Sequence, residues 1–249
     1  MRNVMPRAVY IVAALLVLAT GAFAVTTVQL TITSGSAPNG TSGVMGGVYT
    51  SPYSGNVNGG ATIPIICDDF QDEVYPPQTW QAIATNLAQL GSATTGDVYF
   101  EQNGGTQQQI DYMTAAVLAE DILSTTNETT RGELSFALWS IFDPASLLNL
   151  NPTQVADAQG DLSTAQSQVT AGIKNNGLSA YLSTFSNVTI YSATSNGTTP
   201  IALGTTRPQE FMTVSMVEPP ELALLAFDLL AVASLVCFIR RKQRRASQI

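Results

Sequence analysis

The sequence predicts an α+β fold: a β-rich domain over residues 25–216 with a helical insertion at about 105–175, set between an N-terminal signal peptide and a C-terminal transmembrane helix. Three observations carry this prediction. Near both ends of the domain apolar residues alternate singly, as at Val28, Leu30 and Ile32, the period of a strand with one buried face. In its middle they recur at steps of three and four, the period of a helix. Two apolar runs, 8–18 and 222–239, lie outside it.

Taken in order, 28–32 is the first strand and 34–43 a turn-rich loop. A second strand is expected at 44–49, and the Gly/Asn-rich segment 54–60 has hairpin-turn chemistry, because both residue types tolerate positive φ. Ile63-Pro64-Ile65-Ile66-Cys67 reads as a core strand that emerges at Asp68. The stretch 79–87 around Trp80 fits either a strand or a short helix. A helix over 107–123 carries Ile110, Met113 and Val117 on one face and Ala115, Leu118 and Ile122 on another, so it should be buried on two sides. A second helix over 131–142 stops at Asp143-Pro144. Asn151-Pro152 opens a third, with Val155, Ala158, Leu162, Ala165, Val169 and Ile173 as a narrow stripe and Asn175-Asn176-Gly177 as its stop. Strands at 187–192 and 210–217 close the domain.

The ends differ in character. Residues 1–24 combine Arg2 and Arg7 with an apolar run of about eleven residues, too short to span a bilayer, and end in Ala22-Phe23-Ala24. Small residues at Ala22 and Ala24 suit a signal peptidase, so cleavage is expected after Ala24. The 18 residues 222–239 would cover roughly 27 Å as a helix, and Arg240, Arg241, Lys242, Arg244 and Arg245 follow directly. Positive residues stay on the cytoplasmic side, which places the domain outside the inner membrane. Asp228 interrupts the run at a cost of about 2.5–3.5 kcal/mol on insertion scales.

Charge and composition exclude several functions. Between residues 25 and 218 three basic residues, Arg131, Lys174 and Arg207, face 16 acidic ones, a field that repels phosphate backbones; no nucleic-acid partner is expected. The chain has no histidine and two cysteines, which removes His-dependent triads, His-ligated zinc and haem, and any cysteine cage. No cofactor and no catalytic residue is expected.

The tail Glu218-Pro219-Pro220-Glu221, followed by one apolar segment and an Arg-rich end, resembles the PEP-CTERM sorting signal of Gram-negative bacteria, although it does not spell Pro-Glu-Pro. That resemblance covers about 30 residues, 217–249. It implies an exosortase-type processing enzyme as partner, and anchoring in the inner membrane before release to the cell surface. Association with exopolysaccharide or biofilm matrix is implied in the same way. More faintly, Cys67 and the segment Ala137-Leu138-Trp139 resemble the thioester domains of bacterial surface adhesins, in which a Cys and a Gln condense. Ser135 stands where that Gln is expected, and a serine supplies no acyl group, so the resemblance implies the architecture without the crosslink. A disulfide from Cys67 to Cys237 is not expected, since Cys237 lies in the apolar tail segment.

Asp68, Asp69, Asp72 and Glu73 place four carboxylates within six residues, a candidate weak Ca²⁺ site that lacks the EF-hand glycine and distal Glu. The expected function is that of an exported, membrane-sorted, non-catalytic surface or matrix protein. An adhesive or ligand-binding module without the reactive bond comes second, and a carboxylate-based polysaccharide hydrolase third.

Overall fold

The structure, a computed structural model, describes residues 26–35, 43–91, 98–100, 105–194 and 208–215. Six strands close into a barrel: β1 (Thr26–Ser34), β4 (Tyr53–Val57), β5 (Ile63–Cys67), β8 (Phe211–Val214), β7 (Val188–Ala193) and β6 (Gln78–Asn86), in that order around the wall, with every pairing antiparallel. Alternation along β1 sends Val28, Leu30 and Ile32 inward, and pairing of Leu30 with Trp80 on one side and Val57 on the other sets the register. Ile32, Ile65 and Phe211 share that inner face and complete a filled interior with no accessible surface, as expected of a barrel this small, whereas Ile190 and Met212, one residue out of step, are buried on the outer face. The stretch around Trp80 is a strand, because β1 and β7 flank it and take up its backbone groups.

The segment 44–49, expected as one strand, is a hairpin: β2 (Gly43–Met45) and β3 (Val48–Thr50) pair across a turn at Gly46 and Gly47. Both glycines have positive φ, 59° and 83°, which a single strand cannot contain.

Helices α1 (Gly105–Ser124), α2 (Glu128–Phe142), α3 (Pro152–Asn176) and α4 (Leu178–Ser183) enter between β6 and β7. α1 is the central one. Tyr112, Met113, Ala115, Ala116, Leu118, Ala119 and Ile122 are all inaccessible, so it is enclosed by α2, α3 and the barrel strand β8. α2 starts where the Asn127 side chain accepts from the Thr130 N–H, and ends at Asp143, which caps the short 3-10 helix Pro144–Asn149 in turn. α3 has a full capping box between Asn151 and Gln154 and stops at Gly177, whose φ of 80° suits glycine. Of its stripe, Ala158, Ala165 and Val169 are buried and Val155, Leu162 and Ile173 half-buried, the last two packed against the core.

The membrane-crossing part of the expected fold is overturned: among the described residues no helix is long and apolar enough to cross a membrane. What the described residues form is a mixed α+β domain, a six-stranded barrel with helices packed on it. The segments behind that expectation, 1–24 and 217–249 with the apolar stretch 222–239, lie outside the described residues.

Candidate functional site

Two arrangements of polar and aromatic side chains meet at one end of the barrel, where β5 and β8 lie side by side. The first is sealed. β5 runs out into Asp68 and Asp69, and Glu210 directly precedes β8, so pairing of Cys67 with Phe211 brings the three acids together; all have no accessible surface. Glu210 accepts from the Tyr99 N–H at 2.7 Å and from the hydroxyls of Tyr112 and Ser192. Asp69 accepts from the backbone N–H groups of Gln71, Asp72 and Glu210 at 2.8, 3.3 and 3.3 Å. As a carboxylate, Asp68 would have no donor at either oxygen. Protonated, it becomes the donor and gives its hydrogen to Glu210.

Electrostatics point the same way. Burial, then the charges of Glu210 and Asp69, push the Asp68 carboxyl well above the usual carboxylate range. Burial also raises Glu210, while the donors Ser192, Tyr112 and Tyr99 pull it back, so the proton of the pair belongs on Asp68. Burial followed by Glu210 and Asp68 lifts the Tyr112 phenol as well.

The second arrangement is open. The β2–β3 hairpin and the loop 70–76 are the two walls of a cleft of about 560 Å³. Val44, Val48 and Tyr49 line the hairpin side, with Phe70, Asp72, Glu73 and Tyr75 opposite. Tyr53, Trp139 and Gln209 make the floor, and each is tied down. The Trp139 indole N–H donates to the Cys67 carbonyl at 2.9 Å, Gln209 Nε2 to the Asp69 carbonyl at 2.8 Å, and the Tyr53 hydroxyl to the Tyr49 carbonyl at 3.0 Å. Phe70 packs on Trp139 and Phe136 with ring centroids 5.1 and 5.8 Å apart. At the rim the Tyr75 hydroxyl donates to the Glu73 carboxylate, and Tyr75, Val44 and Tyr49 stay 71%, 63% and 54% exposed.

The residues expected from sequence fall into these arrangements unevenly. Cys67 and Ser135 are joined through Ser51, whose hydroxyl accepts from the Cys67 N–H at 2.9 Å and whose own N–H donates to Ser135 Oγ at 3.1 Å. The Ser135 hydroxyl donates to the Arg131 carbonyl. The Cys67 thiol is free of any disulfide, donates to the Asp69 carbonyl, and is pushed well up by burial, then Asp69 and Asp68; it is a protonated core group. Asp68, Asp69, Asp72 and Glu73 do not converge: the first two are sealed in, Asp72 is buried on the cleft side, and Glu73 is at the rim. Among the described residues no His, Cys, Asp or Glu group is fit to hold a metal ion. Ala22 and Ala24 of the expected cleavage site, and Glu218, Pro219, Pro220, Glu221, Arg240, Arg241, Lys242, Arg244 and Arg245 of the expected sorting signal, lie outside the described residues.

Sequence reasoning missed Glu210, Tyr112 and Ser192. The one available signal was Glu210 itself, an acid at the head of the apolar strand Phe211-Met212-Thr213-Val214. It missed the cleft too, because the hairpin and the 70–76 loop come together only in three dimensions.

No protein-family model matches the chain, and neither a curated protein nor a solved structure does. The expectation of an exported, membrane-sorted surface protein is corrected to what the described residues carry: none of their helices is long and apolar enough to cross a membrane. The expectations of the inner membrane as a partner and of inner-membrane anchoring are corrected on the same ground, which concerns the described residues alone.

Proposed function

We propose that this domain is a non-catalytic receptor for a small molecule, held in the cleft between the β2–β3 hairpin and the 70–76 loop. The observation that carries the proposal is the cleft: its volume of about 560 Å³ lies in the range of roughly 300–1,000 Å³ common to ligand pockets. Its lining is largely aromatic and aliphatic, with a few polar groups to orient a guest. Of the groups pushed well above their ordinary values, Asp68, Cys67 and Tyr112 are wholly buried and are not among the cleft's lining residues, while Tyr53 on the floor is raised by burial and keeps its hydrogen in the bond to the Tyr49 carbonyl, which favours binding over chemistry.

An NMR-observed fragment screen tests this. Fragments that shift the Trp139 indole and the Tyr49 and Tyr75 amides are expected, and the shifts should vanish in a Val74→Trp variant that fills the cleft and keeps the wild-type unfolding curve. A diverse panel with no fragment mapping to these residues would refute the proposal.

A further inference from the structure

We infer that the guest of this cleft is an alkylammonium or arylalkylammonium cation, an inference that rests on reading the cleft as a binding site. The cleft has few hydrogen-bond donors left to offer. Four on its walls and floor are already engaged: Trp139 Nε1 with the Cys67 carbonyl, Gln209 Nε2 with the Asp69 carbonyl, Tyr53 OH with the Tyr49 carbonyl, and Tyr75 OH with the Glu73 carboxylate. What faces a guest is therefore mainly ring surface and carboxylate oxygen, with the Tyr49 hydroxyl as a remaining donor. Carboxylates only accept, and ring faces carry negative potential, so both call for a guest that donates and is positive.

Charge agrees with this. The lining holds two acidic residues, Asp72 and Glu73, and no Lys or Arg is among the described lining residues. Five lining residues, Tyr49, Tyr53, Phe70, Tyr75 and Trp139, are aromatic. The Tyr75–Glu73 hydrogen bond holds a ring and a carboxylate together at the mouth, an arrangement suited to an ammonium group with an organic substituent. Beyond the cleft, 16 acidic residues against three basic ones between residues 25 and 218 draw cations in and keep anions out. A neutral sugar would ask for several donors, and four of the cleft's side-chain donors are already committed.

The test compares benzylammonium with its neutral counterpart benzyl alcohol at pH 7 and low salt, by calorimetry and by NMR shifts of cleft residues in the full chain. Benzylammonium should bind at least tenfold more tightly. The preference should shrink about threefold or more in Glu73→Gln, whose side chain is exposed and whose fold should be intact, and should fall as salt is raised. Equal binding of benzyl alcohol, or tighter binding of glucose, at the same residues would overturn the cation assignment and leave the cleft a receptor for neutral guests. The cation assignment is overturned in the same way if the fragment screen finds neutral cleft ligands while benzylammonium shifts nothing. If no compound of any kind reaches the cleft, the receptor proposal falls too.

Discussion

Asp68→Asn is expected to stabilise this protein at neutral pH, although it alters a fully buried residue. Asp68 serves the fold only as a neutral acid that donates to Glu210, and a carboxyl whose ordinary value is 3.8 must be kept protonated to do so. At about 1.36 kcal/mol per pH unit, holding that proton at pH 7 costs up to about 4 kcal/mol relative to the unfolded chain. Asparagine has the same shape and carries its donor hydrogens at every pH. Because folding raises the Asp68 pKa, the proton's contribution is complete below the unfolded value near 3.8 and is lost as pH climbs through the folded value. The variant should therefore match or fall slightly below wild type at pH 4 and gain steadily toward pH 7, with a ceiling of about 4 kcal/mol. Urea unfolding followed by circular dichroism at pH 4, 5.5 and 7 reads this directly, since 1 kcal/mol moves the midpoint by about 0.3–1 M at ordinary m-values. Titrating groups that do not interact with Asp68 are common to both proteins and cancel in the difference. A difference that does not change with pH, or a variant that loses most at pH 7, would refute the shared-proton account.

Three further outcomes are expected. Gly46→Ala forces a side chain onto a φ of 59° and brings its Cβ to 2.8 Å from Phe136 Cζ, so thermal or urea unfolding should show a loss of about 1–3 kcal/mol and cleft-binding fragments should weaken with it. Trp139→Phe strands the buried Cys67 carbonyl and leaves a void beside Phe70 and Phe136; a loss of at least about 1–3 kcal/mol is expected in the same assay. Cys67 should resist iodoacetamide at pH 8 in native protein and react within minutes in denaturant, as peptide mass spectrometry would show; rapid native labelling would contradict a buried, protonated thiol.

How much was legible in the sequence depended on the range of the signal. The helix expected over 107–123 spans Gly105–Ser124, the one over 131–142 spans Glu128–Phe142, and the Asn151 and Gly177 boundaries of the third are where the residues place them. Each rests on a periodicity or a cap that acts within a few residues. The β2–β3 turn was also written locally, in Gly46-Gly47, but was read through as one strand. By contrast, nothing near Thr79 decides between strand and helix until β1 and β7 supply partners on both sides.

By itself, then, the chain's order of residues determined the caps, the helical faces, the inward alternation of Val28, Leu30 and Ile32, and an acidic charge balance. Only the tertiary structure decided that six strands close on themselves and that Cys67 lies beside Phe211. That one pairing joins residues some 140 positions apart, buries Asp68, Asp69 and Glu210 together, and sets Gln209 and Trp139 under the cleft. Such contacts depend on which strands find each other, a choice made by the summed burial of the whole barrel and not encoded in any short window of sequence.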